Sequence, residues 1–305
     1  MALSTAVAPE RRSRVSGYKI KKGSFDNTTP NLGQRIAIFG EANTANQTGL
    51  STNRKEITSA QEAAETYGYG SPIHQMMRIL RPISGDGVGG IPTDVFPQIT
   101  DGGATATTVT WTVTGTATAN ATHSVVIGGR KTLDFQSYEY SVVLGDTPTI
   151  IAGKIKDAIT AVLGSSFTAT NVAGVLTLVS KWKGTTSSEV KTSFDNSNNA
   201  AGVTYAQTTR VNGAGSVTLA ASLSQFGDDW YTVVLNSYGS AQFTALEQFN
   251  GIPDASNPTG RYSGLTFKPF IACFGSTLND KDDLAAITNN AARIEQVTNV
   301  LCPAP

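Results

Sequence analysis

The chain of 305 residues carries little charge. Lys, Arg, Asp and Glu make up 15% of it, against roughly a quarter in ordinary globular proteins. Its 23 basic residues balance 23 acidic ones. That balance argues against a dedicated nucleic-acid binder, which carries a basic surplus. Cysteine is scarce: Cys273 and Cys302 are the only two. They are too few for a disulfide framework and too far apart for a CxxC site. They read either as two buried thiols or as a redox-linked pair, inside one subunit or between two. Histidine is equally scarce. His74 and His123 have no Cys, Asp or Glu at metal-ligand spacing, so no zinc, no other metal, no cofactor and no histidine-based triad is expected. No run of about 18 apolar residues occurs, so no membrane insertion is expected. Residues 1–9 lack an apolar core with basic flanks, and no secretory signal is expected there.

Catalytic motifs are missing as well. There is no GxxxxGK[ST] and no GxSxG. The stretch Gly85-Asp86-Gly87-Val88-Gly89-Gly90 matches GxGxxG in spacing. A dinucleotide site needs a strand before that motif and a helix after it. Here a helical pattern precedes and a strand follows, so a turn is expected. Asp228 and Asp229 precede an apolar strand and could form a carboxylate pair, but at the end of the strand opposite the usual ligand crevice. His74 is expected to pack on a short helix, and His123 to lie exposed beside a turn. Trp111, Trp182 and Trp230 are scattered and read as core or surface aromatics. The chain is read as non-enzymatic, without catalytic, cofactor-binding or metal residues.

What is present is a core-sized apolar fraction of 39%, together with 30 glycines and much Thr, Ala, Ser and Asn. The length has room for about two domains. A neutral, charge-poor surface is poor at keeping a protein monomeric and leans towards assembly. Residues 1–22 set Arg11, Arg12, Arg14, Lys19, Lys21 and Lys22 against Glu10. Residues 1–33 read as an N-terminal arm, either solvated and disordered or pairing as an edge strand through the Tyr18-Lys19-Ile20 alternation.

Order is expected from the strand Arg35–Phe39, ended by Gly40, followed by a polar loop from Glu41 to Asn53. Ser59 to Glu62 reads as a capping box opening a helix that ends at Gly68. Ser71-Pro72 opens a second helix with Ile73, Met76, Met77 and Leu80 inward. Thr93–Ile99 is a strand. Residues 101–212 are Thr-rich and read as an inserted β-rich α+β domain. Val109, Trp111 and Val113 alternate with threonines, and Gly128-Gly129 marks a hairpin. Thr147-Pro148 opens a helix with Ile151, Ile155, Ala158, Ile159 and Val162 on one face. Residues 34–100 and 213–305 form a discontinuous α/β domain with a mostly parallel or mixed sheet. Its later elements are strands at Tyr231–Leu235, Pro269–Phe274 and Val297–Cys302 and a helix at Asn279–Glu295.

Three features follow one another along the chain. The first is the strand Arg35–Gly40 with Ile57–Ala63 and Tyr67–Pro72 behind it. The second is the Thr-rich insert with Ile127-Gly128-Gly129-Arg130 and Gly145–Thr149. The third is the return through Asp229–Leu235. In this order they are similar to the tail sheath proteins of contractile-tailed phages, the Mu-like branch in particular, and the resemblance covers roughly residues 30–275. It implies a virion structural subunit that stacks as rings of a helix around a tail tube and contracts to drive the tube through the host envelope. Partners would be further copies of the chain, the tail tube protein, and baseplate and tail terminator proteins. The subunit would be assembled in the host cytoplasm and end in the virion tail. Terminal arms lend strands to neighbouring sheets in this family, which places donated-strand contacts on Arg14, Val15, Tyr18 and Ile20. The family continues past the point where this chain stops. The chain is therefore expected to be truncated, to be completed by another chain, or to connect differently. Three other readings stay open: the sheath of a contractile injection or secretion system, an α/β hydrolase or transferase with the insert as clamp, and a carbohydrate-binding adhesin.

Overall fold

The computed structural model describes residues 33–85, 87–128, 135–238, 242–264, 267–276 and 300–303. The chain divides into Met1–Gly33 and Gln34–Pro305, and every described element belongs to the second unit. Arg14, Val15, Tyr18 and Ile20, and the helix expected at 279–295, lie outside the described residues.

The first strand, β1 (Arg35–Glu41), is apolar on both faces because both are covered. Ile36 and Ile38 pack with Ile57, Tyr67, Ile73 and Met77. Ala37 and Phe39 point the other way, into a cluster with Phe96, Phe226, Tyr231 and Leu246, as alternation along a strand requires. A two-residue strand, β2 (Lys55–Glu56), precedes helix α1 (Ala60–Tyr67). Ser59 caps α1 by accepting from the Glu62 amide at 3.1 Å. The Glu62 carboxylate reaches back to the Thr58 amide at 3.0 Å, one residue earlier than in a standard capping box. Helix α2 (Pro72–Leu80) is capped by Ser71 and turns Ile73, Met76 and Met77 inward. The Gly-rich stretch is a turn between α2 and β3 (Thr93–Gln98).

Residues 106–211 then build a separate core. The strands are β4 (Ala106–Thr114), β5 (Ala121–Gly128), β6 (Phe135–Val142), β7 (Phe167–Val172), β8 (Val175–Lys183), β9 (Lys191–Asp195) and β10 (Thr204–Val211), with helix α3 (Pro148–Ala161) between β6 and β7. They form a four-stranded sheet, β10-β4-β8-β7, and a three-stranded one, β6-β5-β9. All pairs in both are antiparallel. The core between them holds Val109, Trp111, Val125, Ile127, Ile151, Ile155, Leu176 and Leu178. Each of the fully buried aliphatic side chains contributes roughly 2 kcal/mol of transfer free energy.

The return begins with a short helix, α4 (Ala220–Leu223), followed by β11 (Tyr231–Asn236), α5 (Phe243–Asn250), β12 (Ile271–Ser276) and β13 (Val300–Pro303). The resulting mixed sheet has the order β13-β12-β11-β1-β3-β2. Its pairs are parallel, except that β2 runs antiparallel to β3. None of the described helices is long and apolar enough to cross a membrane.

Some local expectations need correction. Glu41 belongs to β1 and is buried, not part of a loop. The hairpin expected at Gly128-Gly129 is present, with β5 and β6 paired antiparallel and Gly128, still within β5, opposite Phe135. Val162 is 40% exposed, because α3 ends at Ala161 and Val162 has extended backbone, φ −100° and ψ 103°.

Candidate functional site

Parallel sheets take ligands at the carboxyl ends of their strands, where successive strands step off in opposite directions. Here that reversal lies between β1 and β11. From β1 the chain moves outward to β3, and after residue 211 it returns to β11 on the other side of β1. Gly40 and Glu41 end β1, Asn236 ends β11, and Ser237 and Tyr238 follow it directly. All but Gly40 are polar, and those four are buried.

The 106–211 unit fills this crevice itself. The Trp182 indole donates from Nε1 to Thr186 Oγ1 at 3.0 Å. Thr186 in turn donates to Glu41 Oε2 at 2.5 Å. Gly184 lets this happen. Its φ is +101°, and a Cβ there would stand 2.9 Å from Glu41 Oε1. A side chain at that position would be strained and would push the carboxylate away. Burial pushes the Glu41 carboxyl up to about 7, opposed by the Thr186 hydrogen bond and helped by the negative charge of Glu189. Burial likewise pushes Glu189 up to about 7, opposed by Lys191. Between Gln75, Trp182, Thr186, Glu189 and Ser237 a cavity of about 30 Å³ remains, enough for roughly one water. Asn236 Nδ2, Ser237 Oγ and Tyr238 OH find no hydrogen-bond partner among the described residues.

A second contact lies beside the first. Gln75 Nε2 donates to the Gly164 carbonyl at 3.1 Å, and Lys181 Nζ to the carbonyls of Leu163 at 2.8 Å and Tyr69 at 3.3 Å. His74 is buried as expected. Its Nδ1 accepts from the Gly70 amide at 2.9 Å, so the neutral ring carries its proton on Nε2. Burial, with help from Arg78 and Lys181, pulls its pKa down to about 4.

The other candidate residues are dispersed. His123 is buried, not exposed, at 1%. It shares the inward phase of Val125 and Ile127 on β5, and that period-2 pattern was the signal for it. Its Nδ1 lies 2.6 Å from Tyr205 OH and its Nε2 2.7 Å from the Asn199 carbonyl. Asp229 pairs with Arg54 and stands 4.0 Å from Arg35. Arg35 also holds Asp94 at 3.0 Å, which accepts from Tyr231 OH at 2.5 Å. This network ties the amino ends of β1, β3 and β11 together, away from the crevice. Trp111 and Trp182 are core residues, and Trp230 donates to the Pro269 carbonyl at 2.8 Å. The Gly-rich turn borders a groove of about 320 Å³ beside the start of α1. The nearby Arg81 is committed to the carbonyls of Gly89 and Ile91.

Cys273 lies on β12 opposite Val300, and Cys302 on the adjacent β13 opposite Gly275. The two stand on neighbouring strands two register positions apart, and the side chain of Cys302 lies outside the described residues. Among the described residues no group of three His, Cys, Asp or Glu could hold a metal ion. Sequence reasoning missed Glu41, Thr186 and Glu189. The one available hint was a carboxylate placed directly after an apolar strand. Neither the protein-family models nor the curated proteins compared with this chain match it.

Proposed function

We propose that this chain is a structural subunit of a contractile tail sheath, polymerising around a tail tube and shortening to drive it through a host envelope. The observation that carries the structural side of this reading is the occupied crevice. Where an α/β enzyme would bind substrate, Trp182 donates to Thr186 and Thr186 to Glu41, and about 30 Å³ is left. A small-molecule site is typically ten times that size or more. The sheath side rests on the order of sequence features along residues 30–275, on the charge-poor composition and on the basic arm.

In this reading residues 1–22, with Arg14, Val15, Tyr18 and Ile20, donate a strand to the sheet of a neighbouring copy. Head-to-tail donation is a heterologous contact that propagates without closing, and so builds a helix. The mixed sheet offers two edges, β13 and the far side of β3 beyond the two-residue β2. The purified full chain is expected to form tubes in negative-stain electron microscopy. Deleting residues 1–22 is expected to leave a folded, soluble monomer that forms none. Normal tubes from the deletion variant would remove the arm mechanism. A full chain that turns over a small substrate and never assembles would remove the sheath reading. A capsid on the native particle separates a phage tail from an injection machine.

A further inference from the structure

The crevice contact joins two cores that share no hydrophobic cluster. We propose that this seam is a proton-operated latch: Glu41 on the mixed sheet and Glu189 on the 106–211 unit hold it closed when protonated and loosen it when both are ionised. The proposal goes beyond the sheath reading and stands without it.

Glu41 is 1% exposed, and its hydrogen-bond donor is the neutral Thr186 hydroxyl. Among the described residues, neither Glu41 nor Glu189 has a cation within salt-bridge distance. Glu41 is buried and Glu189 half-buried; an ionised carboxylate buried without a cation is costly and escapes either by taking a proton or by reaching water. The cavity beside Glu189 holds roughly one water, not a hydration shell. With both groups charged, opening the seam is the remaining route to water for Glu41, and repulsion from Glu189 favours the same movement. Ser237 adds a second sign of an unfinished polar seam, since its Oγ is buried at the cavity wall without a partner among the described residues.

The other groups facing the pair are accounted for. Tyr238, at the end of β11, is held neutral by burial and by Glu41. Lys191 stands near Glu189, and Arg210 is bound to the carbonyls of Ser188 and Val190. Lys181, on β8, is tied to the backbone of Leu163 and Tyr69. Arg78, on α2, donates to Gln75 Oε1. His74, also on α2, has a pKa near 4 and stays neutral above it, so it does not titrate in the window where the carboxylates do.

The test is hydrogen exchange of the full chain, read at residues 184–190 and 40–43 and corrected for the chemical exchange rate. A carboxyl at about 7 when closed and near its ordinary value when open makes opening more frequent as pH rises. Opening is expected to increase by up to about tenfold per pH unit for each of the two carboxyls from pH 5 to 7, and to level off above that. Glu41→Gln and Glu189→Gln should each flatten the rise, and the pair should remove it. A second readout needs no variant to fold: the infrared band of protonated carboxyl groups in the wild-type chain should lose intensity near neutral pH. Exchange at the seam that does not change from pH 5 to 7 overturns the proposal. So does a rise that persists in the double variant, or the absence of a carboxyl band titrating near neutrality.

Discussion

The side chain of His123 shows how one buried polar residue can order two sheets. Its Nε2 faces a backbone carbonyl, which can only accept, so Nε2 carries the proton and Nδ1 accepts from Tyr205 OH. β5 belongs to the three-stranded sheet and β10 to the four-stranded one, so this hydrogen bond ties the two together. Tyr205 stacks on Phe194 with ring centroids 4.5 Å apart, and burial pushes its hydroxyl up to about 12. Tyr205→Phe keeps the ring and deletes the donor. The expected cost is about 1–2 kcal/mol, the price of an unsatisfied buried acceptor. His123→Phe leaves both Tyr205 OH and the Asn199 carbonyl without their partner and is expected to cost more. The double variant should cost less than the two singles added, because the shared bond is lost only once. Urea titrations of the four proteins measure this, and strict additivity would show that the hydrogen bond contributes nothing.

Elements were legible where a strong local signal and the final packing agree. The caps at Ser59 and Ser71 and the inward Ile73, Met76 and Met77 follow from local spacing alone. Strand β9 was missed because the two inward residues of Lys191–Asp195, the buried Thr192 and the half-buried Phe194, alternate too briefly to count as a pattern. β10 reads as polar because its exposed face dominates. In α3 the apolar period outruns the helix. Ile155 lies in the core at 0% exposure. Val162 keeps the spacing but sits after the last helical turn, where a period of 3.6 has no meaning. Ile155→Ala is therefore expected to destabilise the chain by about 3 kcal/mol through transfer and cavity terms. Val162→Ala is expected to stay within about 0.5 kcal/mol, as at other exposed sites. Thermal melts of both check the assignment, and equal losses would return Val162 to the inner face.

At the scale of the whole molecule, the seam was illegible because its partners are far apart in sequence and none belongs to a motif. Glu41 and Thr186 are 145 residues apart. The neck of the 106–211 unit suggests how to separate its contribution. Thr105 and Ala214 form an antiparallel bridge, with the Thr105 amide 2.8 Å from the Ala214 carbonyl, so a short Gly–Ser linker can join them once the unit is removed. The excised chain keeps both clusters that flank the mixed sheet. It loses the cover over Glu41, but water then reaches Ser237 Oγ, which has no partner among the described residues of the full chain. New hydration offsets part of the lost contact. Such a chain is expected to unfold cooperatively.

Its pH dependence should differ from that of the full chain, and the sign follows from linkage. In the full chain Glu41 has a raised folded-state pKa, from 4.5 to about 7. The folded state then binds the proton more tightly than the unfolded one between those values. Its contribution is fully present below about 4.5 and is lost as pH rises towards 7. Without the cover, Glu41 is solvated in both states and that loss should vanish. Urea midpoints at pH 5 and pH 7.5 for the two chains measure the difference. If the excised chain loses as much stability as the full one over that range, burial by Trp182 and Thr186 is not what raises Glu41. If it stays molten by near-ultraviolet circular dichroism, the mixed sheet depends on the 106–211 unit for its packing as well as for its cover.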